Sequence, residues 1–409
     1  MSRPGYGRAW LVETAKRALG ALAVAAPPVL VGLLTAPIAF EGGSIVPWKP
    51  QMVDLDVYRF AGELVLSGGD IYAPSDRLPF LYPPAAAMLA VPLAVLPQAL
   101  GQFCWLVLCV GCLLAILYRL GLTGWVLSLA GAAAVYFCEP IDQALAFGQV
   151  SIVLVTLVVL DLVPGPRLLP GRALLPTGAL TGLATAIKLT PLLFAVYLLL
   201  AARRRAAIGT AATMAGLTAA AAIVLPGESL HYWSRLAQGD TGLRPKGSIV
   251  YLTNQSIVGS WLRIVGIGGR LTVLGLLMAA IVAGLGAYAA CRWHRQGKVA
   301  FAVTICGVAG LLASPISWSH QFVWIVPLAV VLLDRELPRS VQISGWVFVG
   351  WVTAAPFGRL PGGDDVELKY NGWQYALVSF TAVLGIVFVL ACLSGTRTAV
   401  SRVEAPNRR

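Results

Sequence analysis

The chain has 409 residues, of which 58% are hydrophobic and only 12% charged. A soluble chain carries about a quarter charged residues, so the composition excludes an ordinary string of soluble domains. The 30 Lys and Arg exceed the 18 Asp and Glu by +12, but in so apolar a chain such an excess marks cytoplasmic loops rather than a nucleic-acid surface.

Apolar runs recur at 18–40, 100–119, 121–137, 147–163, 174–188, 190–201, 207–225, 271–290, 298–314, 321–334, 339–354 and 373–394. Most approach the length of roughly 17–25 residues that crosses a bilayer. Arg3, Arg8, Lys16 and Arg17 precede the first run, which holds Pro27 and Pro28 and no small-residue cleavage site. It reads as an uncleaved span and not as a signal peptide. The segment 84–97 is short and bracketed by Pro83, Pro84 and Pro97, which suits a re-entrant or interfacial helix. The expected fold is a single all-α polytopic membrane domain over 1–409, with about twelve transmembrane helices and extracytoplasmic amphipathic helices. Six of the seven cysteines lie in or beside apolar runs, where they serve as small fillers; no metal-type Cys/His spacing occurs.

Loop charge gives the orientation. With the N-terminus in the cytoplasm, the loops bearing Arg119, Arg167/Arg172, Arg203–Arg205, Arg292/Arg295/Lys298 and Arg335/Arg339 all fall on the cytoplasmic side, together with the basic tail 395–409. The other side collects 41–83, 138–146, 226–270, 315–320 and 355–372. Loops 41–83 and 226–270 are long enough to be functional, and 57–66 and 257–267 suit short interfacial helices. The chemistry therefore faces the exterior of a plasma-membrane protein with both termini inside.

The first outer loop carries Asp54 and Asp56. Two carboxylates two residues apart share a face on extended chain and splay on a helix. They suit a general base for a sugar hydroxyl or a divalent metal with phosphate oxygens; the plainer alternative is a cap on the helix starting near Val57. Tyr58 follows. Tyr82, in Phe80-Leu-Tyr-Pro-Pro, suits stacking on a sugar ring or anchoring at the interface. Gln149, after Gly148, stands at the mouth of a span, where its amide can bind a hydroxyl or a neighbouring helix. Lys188 interrupts an apolar run ahead of Thr190-Pro191. It can snorkel or present a point charge to a phosphate. The third outer loop interleaves aromatic, basic and amide groups, with Arg244, Lys246, Tyr251, Asn254 and Gln255 as candidates for anionic headgroup and sugar contacts. Ser314-Pro-Ile-Ser-Trp318-Ser-His320 ends another span on the same side, and a histidine there can move protons near neutral pH. No Walker, GxGxxG, HExxH or GxSxG motif occurs. The donor for an outward-facing enzyme is then lipid-linked and not a nucleotide sugar.

In order along the chain stand Asp54-Leu-x-Val-Tyr58, Phe80-x-Tyr-Pro-Pro84, Phe147-Gly-Gln149, Lys188-Leu-Thr-Pro191, Asn254-Gln-Ser256 and Ser314-Pro-x-Ser-Trp-x-His320. Together these motifs resemble the actinobacterial polyprenyl-phosphate-mannose-dependent α-1,2-mannosyltransferases of the glycosyltransferase-C class, over residues 18–394. Within that family the likeness is to members that add the fifth mannose to phosphatidylinositol mannosides. The resemblance implies a polyprenyl phosphate mannose donor whose tail lies between helices, a phosphatidylinositol mannoside acceptor, and an inverting transfer in α-1,2 linkage. It implies Asp54 as the essential acid, with Asp56 the competing choice, His320 at the phosphate or in proton transfer, and Lys188 near the donor phosphate. No cofactor is expected; the D-x-D pair keeps a divalent metal open. Lipomannan branching, arabinofuranosyl transfer and transport of a lipid-linked sugar are the alternatives. No internal repeat of the kind transporters show is visible.

Overall fold

The computed structural model describes residues 5–35, 52–73, 77–168, 175–238, 249–363 and 365–403. Arg244, Lys246 and the end of the basic tail lie outside the described residues. Each of the twelve apolar runs contains a helix, and no strand occurs among the described residues beyond one isolated bridge.

The first run forms α1 (Gly5–Thr35). The first outer loop holds α2 (Val53–Ser67), the expected interfacial helix, and Gly68 ends it in the left-handed conformation. Pro84, at the first position of α3 (Pro84–Ala94), starts the short apolar helix bracketed by prolines. Next come α4 (Gln98–Arg119) and α5 (Gly124–Phe137). The 138–146 segment, expected as loop, is mostly helical: α6 (Glu139–Phe147) has Pro140 at its second position and two acids in its first turn, and stops at Gly148. Those are ordinary helix start and stop signals. A bend of 77° separates α5 from α6.

Beyond it run α7 (Ser151–Leu162), α8 (Ala179–Ile187), a short 3-10 turn at Thr190–Leu192, α9 (Leu193–Leu200) and α10 (Arg204–Val224). The third outer loop contributes α11 (Pro226–Ala237) and the expected α12 (Ile257–Val265), whose N-cap Ser256 accepts from Gly259 N. The remainder is α13 (Gly269–Arg295), α14 (Val299–Ala313), the 3-10 segment Ser319–Trp324, α15 (Ile325–Val331), α16 (Arg339–Ala354) and α17 (Gly372–Val403).

Among the described residues, four helices are long and apolar enough to cross a membrane: α4, α10, α13 and the Gly372–Gly395 part of α17. The α5–α6 pair passes only jointly, and six further apolar helices are shorter. This is an all-helical membrane protein. Its centre is α14, buried from Phe301 to Leu312. Small residues let neighbouring backbones close on it, the usual device where lipid removes the hydrophobic drive between helices. A Cβ on Gly286 of α13, for example, would lie 2.2 Å from Ala309 Cβ.

Helix ends sort by chemistry. Arg119 donates to the carbonyls of Leu160 (2.6 Å) and Val163 (2.7 Å) at the end of α7. Arg295 donates to Leu200 O at the end of α9 (3.1 Å). Lys298, at the start of α14, pairs with Asp334 at 2.8 Å. Helices α7, α9 and α14 thus each carry a basic loop at one end. Their other ends meet at the cavity described next.

Candidate active site

Six of the sequence candidates (Asp54, Tyr58, Tyr82, Gln149, Lys188 and Trp318) line one cavity of about 430 Å³. They come from several elements, most of them at a start or an end, and each has a local cause. Asp54 sits in the first turn of α2. That turn is held by Met52, which is fully buried with φ 40° and donates from its N–H to Ala146 O at 3.1 Å. Gly148 makes this approach possible. It adopts φ 69°, and a Cβ there would stand 2.6 Å from Leu55 Cβ. The next residue, Gln149, is thereby brought beside Asp54.

A hydrogen-bond chain fixes the amide. Tyr58 donates its hydroxyl to Gln149 Oε1 at 3.2 Å, and the hydroxyls of Tyr82 and Tyr58 lie 3.0 Å apart. With Oε1 occupied, the Gln149 amide nitrogen is left to donate to the Asp54 carboxylate. Burial pushes the Asp54 carboxyl up to about 6, and the Gln149 hydrogen bond and the Lys188 charge hold it from going higher. A carboxylate of that basicity is still ionised at neutral pH and is a stronger base than a solvated one.

Lys188 caps α8 with extended backbone (φ −148°, ψ 133°) just before the Pro191 turn. The broken helix thus aims an ammonium into the cavity, and its Nζ lies 5.4 Å from the centre of the Tyr82 ring. Thr190 lines the cavity beside it.

Trp318 is presented by the loop after α14. Residues 253–255 and 317–319 pair there: Gln255 N donates to Ser317 O (2.8 Å) and Ser319 N to Thr253 O (2.9 Å). Asn254 holds the pairing together. Its Nδ2 donates to Ile249 O (2.7 Å) and Pro315 O (3.2 Å), and its Oδ1 accepts from the N–H groups of Ser256 (3.2 Å) and Ser317 (3.0 Å). Arg263 braces the same turn through the carbonyls of Tyr251 (2.9 Å) and Asn254 (2.8 Å).

Not every candidate reaches the cavity. Asp56 follows Asp54 by two residues on a helix and so splays away. It is half-buried, and its Oδ1 accepts from Gln98 at 3.5 Å. Burial raises its pKa, with Arg59 and Arg77 opposing. The pair therefore does not present two carboxylates to one ion. Asn254 and Gln255 are buried and serve the Trp318 loop; Gln255 Nε2 donates to Leu252 O at 2.6 Å. Tyr251 packs its ring 6.2 Å from that of Trp318 without lining the cavity. His320 does not line it either: its ring packs 5.2 Å from Phe147, and its carbonyl accepts from Ser151 Oγ at 3.1 Å.

Gln321 and Thr190 also line the cavity without having been singled out in the sequence: Gln321 directly follows the histidine and Thr190 lies inside the Lys188–Pro191 motif. Tyr232 of α11, one of the aromatic residues of the third outer loop, lines it too. Tyr232 stacks with Tyr72 at 6.0 Å, and Tyr72 donates its hydroxyl to Tyr82 O at 2.7 Å. Glu139, a half-buried acid on α6, accepts from Ser319 Oγ at 2.9 Å and ties α6 to the same loop.

The profile of glycosyltransferase family 87 matches residues 80–315. A Mycolicibacterium smegmatis protein named polyprenol-phosphate-mannose-dependent alpha-(1-2)-phosphatidylinositol mannoside mannosyltransferase is 30% identical, with 87% of this chain and 88% of that protein aligned. A Mycobacterium tuberculosis protein of the same name is 30% identical over 81% of this chain and 86% of its own length. A second from Mycobacterium tuberculosis, named for a phosphatidylinositol pentamannoside acceptor, is 31% identical over 86% of this chain and 81% of its own. No solved structure matches. The meeting of the Asp54 carboxylate, the Lys188 ammonium and aromatic rings in one cavity agrees with these likenesses, and the chain belongs to glycosyltransferase family 87.

Proposed function

We propose that the protein is an inverting mannosyltransferase that moves mannose from polyprenyl phosphate mannose to a phosphatidylinositol mannoside in α-1,2 linkage. The observation that carries this is the meeting of Asp54 and Lys188 in one aromatic-walled cavity. The relatives' names supply donor and acceptor. Relatives named for mannoside and for pentamannoside acceptors match at 30% and 31%, so the proposal covers phosphatidylinositol mannosides as a class.

Asp54 takes the proton of the acceptor 2-hydroxyl as that oxygen bonds to the anomeric carbon of mannose. The bond from that carbon to the phosphate oxygen breaks, and the phosphate leaves with the electron pair. Lys188 stabilises the growing negative charge on the phosphate, where a fixed cation in a poorly hydrated site is most effective. Attack opposite the leaving group turns the β-linked donor into an α-linked product. Gln149 orients Asp54, while Trp318 and Tyr232 offer faces on which sugar rings stack. Asn254, Gln255 and His320 act through the loop that carries Trp318.

We further assign a multi-pass topology of about twelve spans, with cytoplasmic termini and the cavity on the outer face of the plasma membrane. The support is that α7, α9 and α14 each run from the cavity to a basic loop. The test is purified protein with radiolabelled polyprenyl phosphate mannose and a series of phosphatidylinositol mannosides, with and without chelator. Labelled glycolipid with a new α-1,2 bond and release of polyprenyl phosphate is the expected result. Donor crossing vesicles without mannose transfer would instead make the protein a transporter.

A further inference from the structure

Among the described residues, the last outer loop, 355–372, lines no part of the active-site cavity. It nevertheless carries a fully buried acid, Glu367, on the 3-10 turn Val366–Lys369. Glu367 Oε1 accepts from Gly363 N (3.0 Å), within its own loop, and from Leu252 N (3.2 Å), in the turn 250–254. Arg263 holds the same turn by its carbonyls. It is 1% exposed and donates to Val250 O (3.3 Å), Tyr251 O (2.9 Å) and Asn254 O (2.8 Å). One turn is thus gripped at an amide by a carboxylate and at its carbonyls by a guanidinium, both out of water. Glu367 Oε2 and Arg263 Nε are each buried without a hydrogen-bond partner. Burial pulls the Arg263 guanidinium down to about 10, and the Glu367 charge opposes that fall.

Packing joins the same two segments. Leu252 belongs to a small apolar cluster, separate from the main core, with Ala355, Phe357, Leu360, Tyr370 and Val378. A Cβ on Gly362 would stand 1.9 Å from Leu252 Cδ2, so the last loop lies directly on the turn. From Leu252 the path to the cavity is short. Gln255 Nε2 donates to Leu252 O (2.6 Å), Gln255 N to Ser317 O (2.8 Å), and Ser319 N to Thr253 O (2.9 Å). Ser317 and Ser319 flank Trp318, which lines the cavity. We infer that Glu367 is a positioning residue: by fixing Leu252 it places Trp318, so the last outer loop governs how tightly the acceptor sugar is held without touching it. The inference rests on the proposed function. A carboxylate suits the task because hydrogen bonds from backbone N–H groups to a charged acceptor are stronger than neutral ones. Its removal also leaves Arg263 buried without the opposite charge.

The test takes Glu367→Ala and Glu367→Gln, each alone and combined with Trp318→Ala. Glu367→Ala is expected to raise the acceptor KM about tenfold, equivalent to about 1.4 kcal/mol, with kcat and the donor KM within about twofold of wild type. Glu367→Gln keeps an oxygen for the Leu252 and Gly363 amides and is expected to recover part of that loss. In the Trp318→Ala background the Glu367 change is expected to add nothing, since both act on one wall. A purely structural role gives another pattern: kcat and melting temperature fall, and the loss multiplies with that of Trp318→Ala. That pattern overturns the proposal, as does an unchanged acceptor KM. Hydrogen exchange gives a readout that needs no turnover. In Glu367→Gln, exchange over 315–320 is expected to rise about tenfold while that of α14 stays at its wild-type rate. Unchanged exchange over 315–320, or an equal rise in α14, refutes the path from Glu367 to Trp318. If wild type transfers no mannose, the proposed function fails while the exchange still decides whether Glu367 holds the Trp318 loop.

Discussion

The acid limb of the pH profile follows from the burial of Asp54. Its carboxyl rises from 3.8 to about 6, so about nine-tenths is ionised at pH 7 and about one-tenth at pH 5. If Asp54 is the base, kcat/KM rises roughly tenfold from pH 5 to pH 8, with a midpoint near 6. Gln149→Leu removes a group that favours the charged form, so the midpoint moves up and activity at pH 6 falls more than at pH 8. The same burial opposes folding. As pH climbs from 3.8 to about 6, the unfolded chain releases this proton while the folded one keeps it. Stability is thus lost through that window, by a total on the order of 3 kcal/mol at 1.36 per unit, and changes no further above it. Asp54→Asn is therefore expected to melt higher than wild type at pH 8 while its transfer rate falls by about 10²–10⁴-fold. The assays are initial rates of mannose transfer from pH 5 to 9 in nanodiscs, and thermal unfolding of both proteins. A flat profile, or a midpoint near the ordinary carboxylate value of about 4, would refute the assignment of Asp54 as a buried base.

Lys188→Met is expected to cost about 10²–10³ in kcat, as loss of one charge-stabilising group does, with Lys188→Arg recovering part of it; equal rates for wild type and Met remove the lysine from the mechanism. Asp56→Asn should stay within about threefold of wild-type turnover, because that carboxylate faces Gln98 and not the cavity; a loss as deep as that of Asp54→Asn reverses the two roles. Gly148→Ala combines a strained φ with a contact against Leu55 and is expected to lower stability by about 1–3 kcal/mol, read as a drop in melting temperature. Asn254→Ala abandons partners at Ile249, Pro315, Ser256 and Ser317. It is expected to raise acceptor KM along with Trp318→Ala, and to lower the melting temperature where Trp318→Ala does not.

The helices were legible because an apolar run of fixed length leaves the backbone no partner but itself. The interfacial helices at 53–67 and 257–265 could be read for a related reason: their apolar residues recur at helical spacing within polar loops. Site residues were legible where a polar group interrupts an apolar context, as Lys188 and Gln149 do. The choice between Asp54 and Asp56 was not, since it depends on whether the segment is helical and which side of it meets Gly148. Asn254 and Gln255 misled for a complementary reason. Amides that bind a ligand and amides that staple two loop strands look alike in sequence, and only their partners separate them. Gln321 became visible only once the 3-10 segment was seen to close on the cavity.

The cavity draws Asp54 and Tyr58 from near the start of the chain, Gln149 and Lys188 from its middle, and Trp318 and Gln321 from its last quarter. No contiguous stretch holds both the carboxylate and the tryptophan. During synthesis the nascent polypeptide is consequently inert until its late helices have left the translocon and docked. A ribosome stalled midway leaves a fragment with a proton acceptor but no finished pocket.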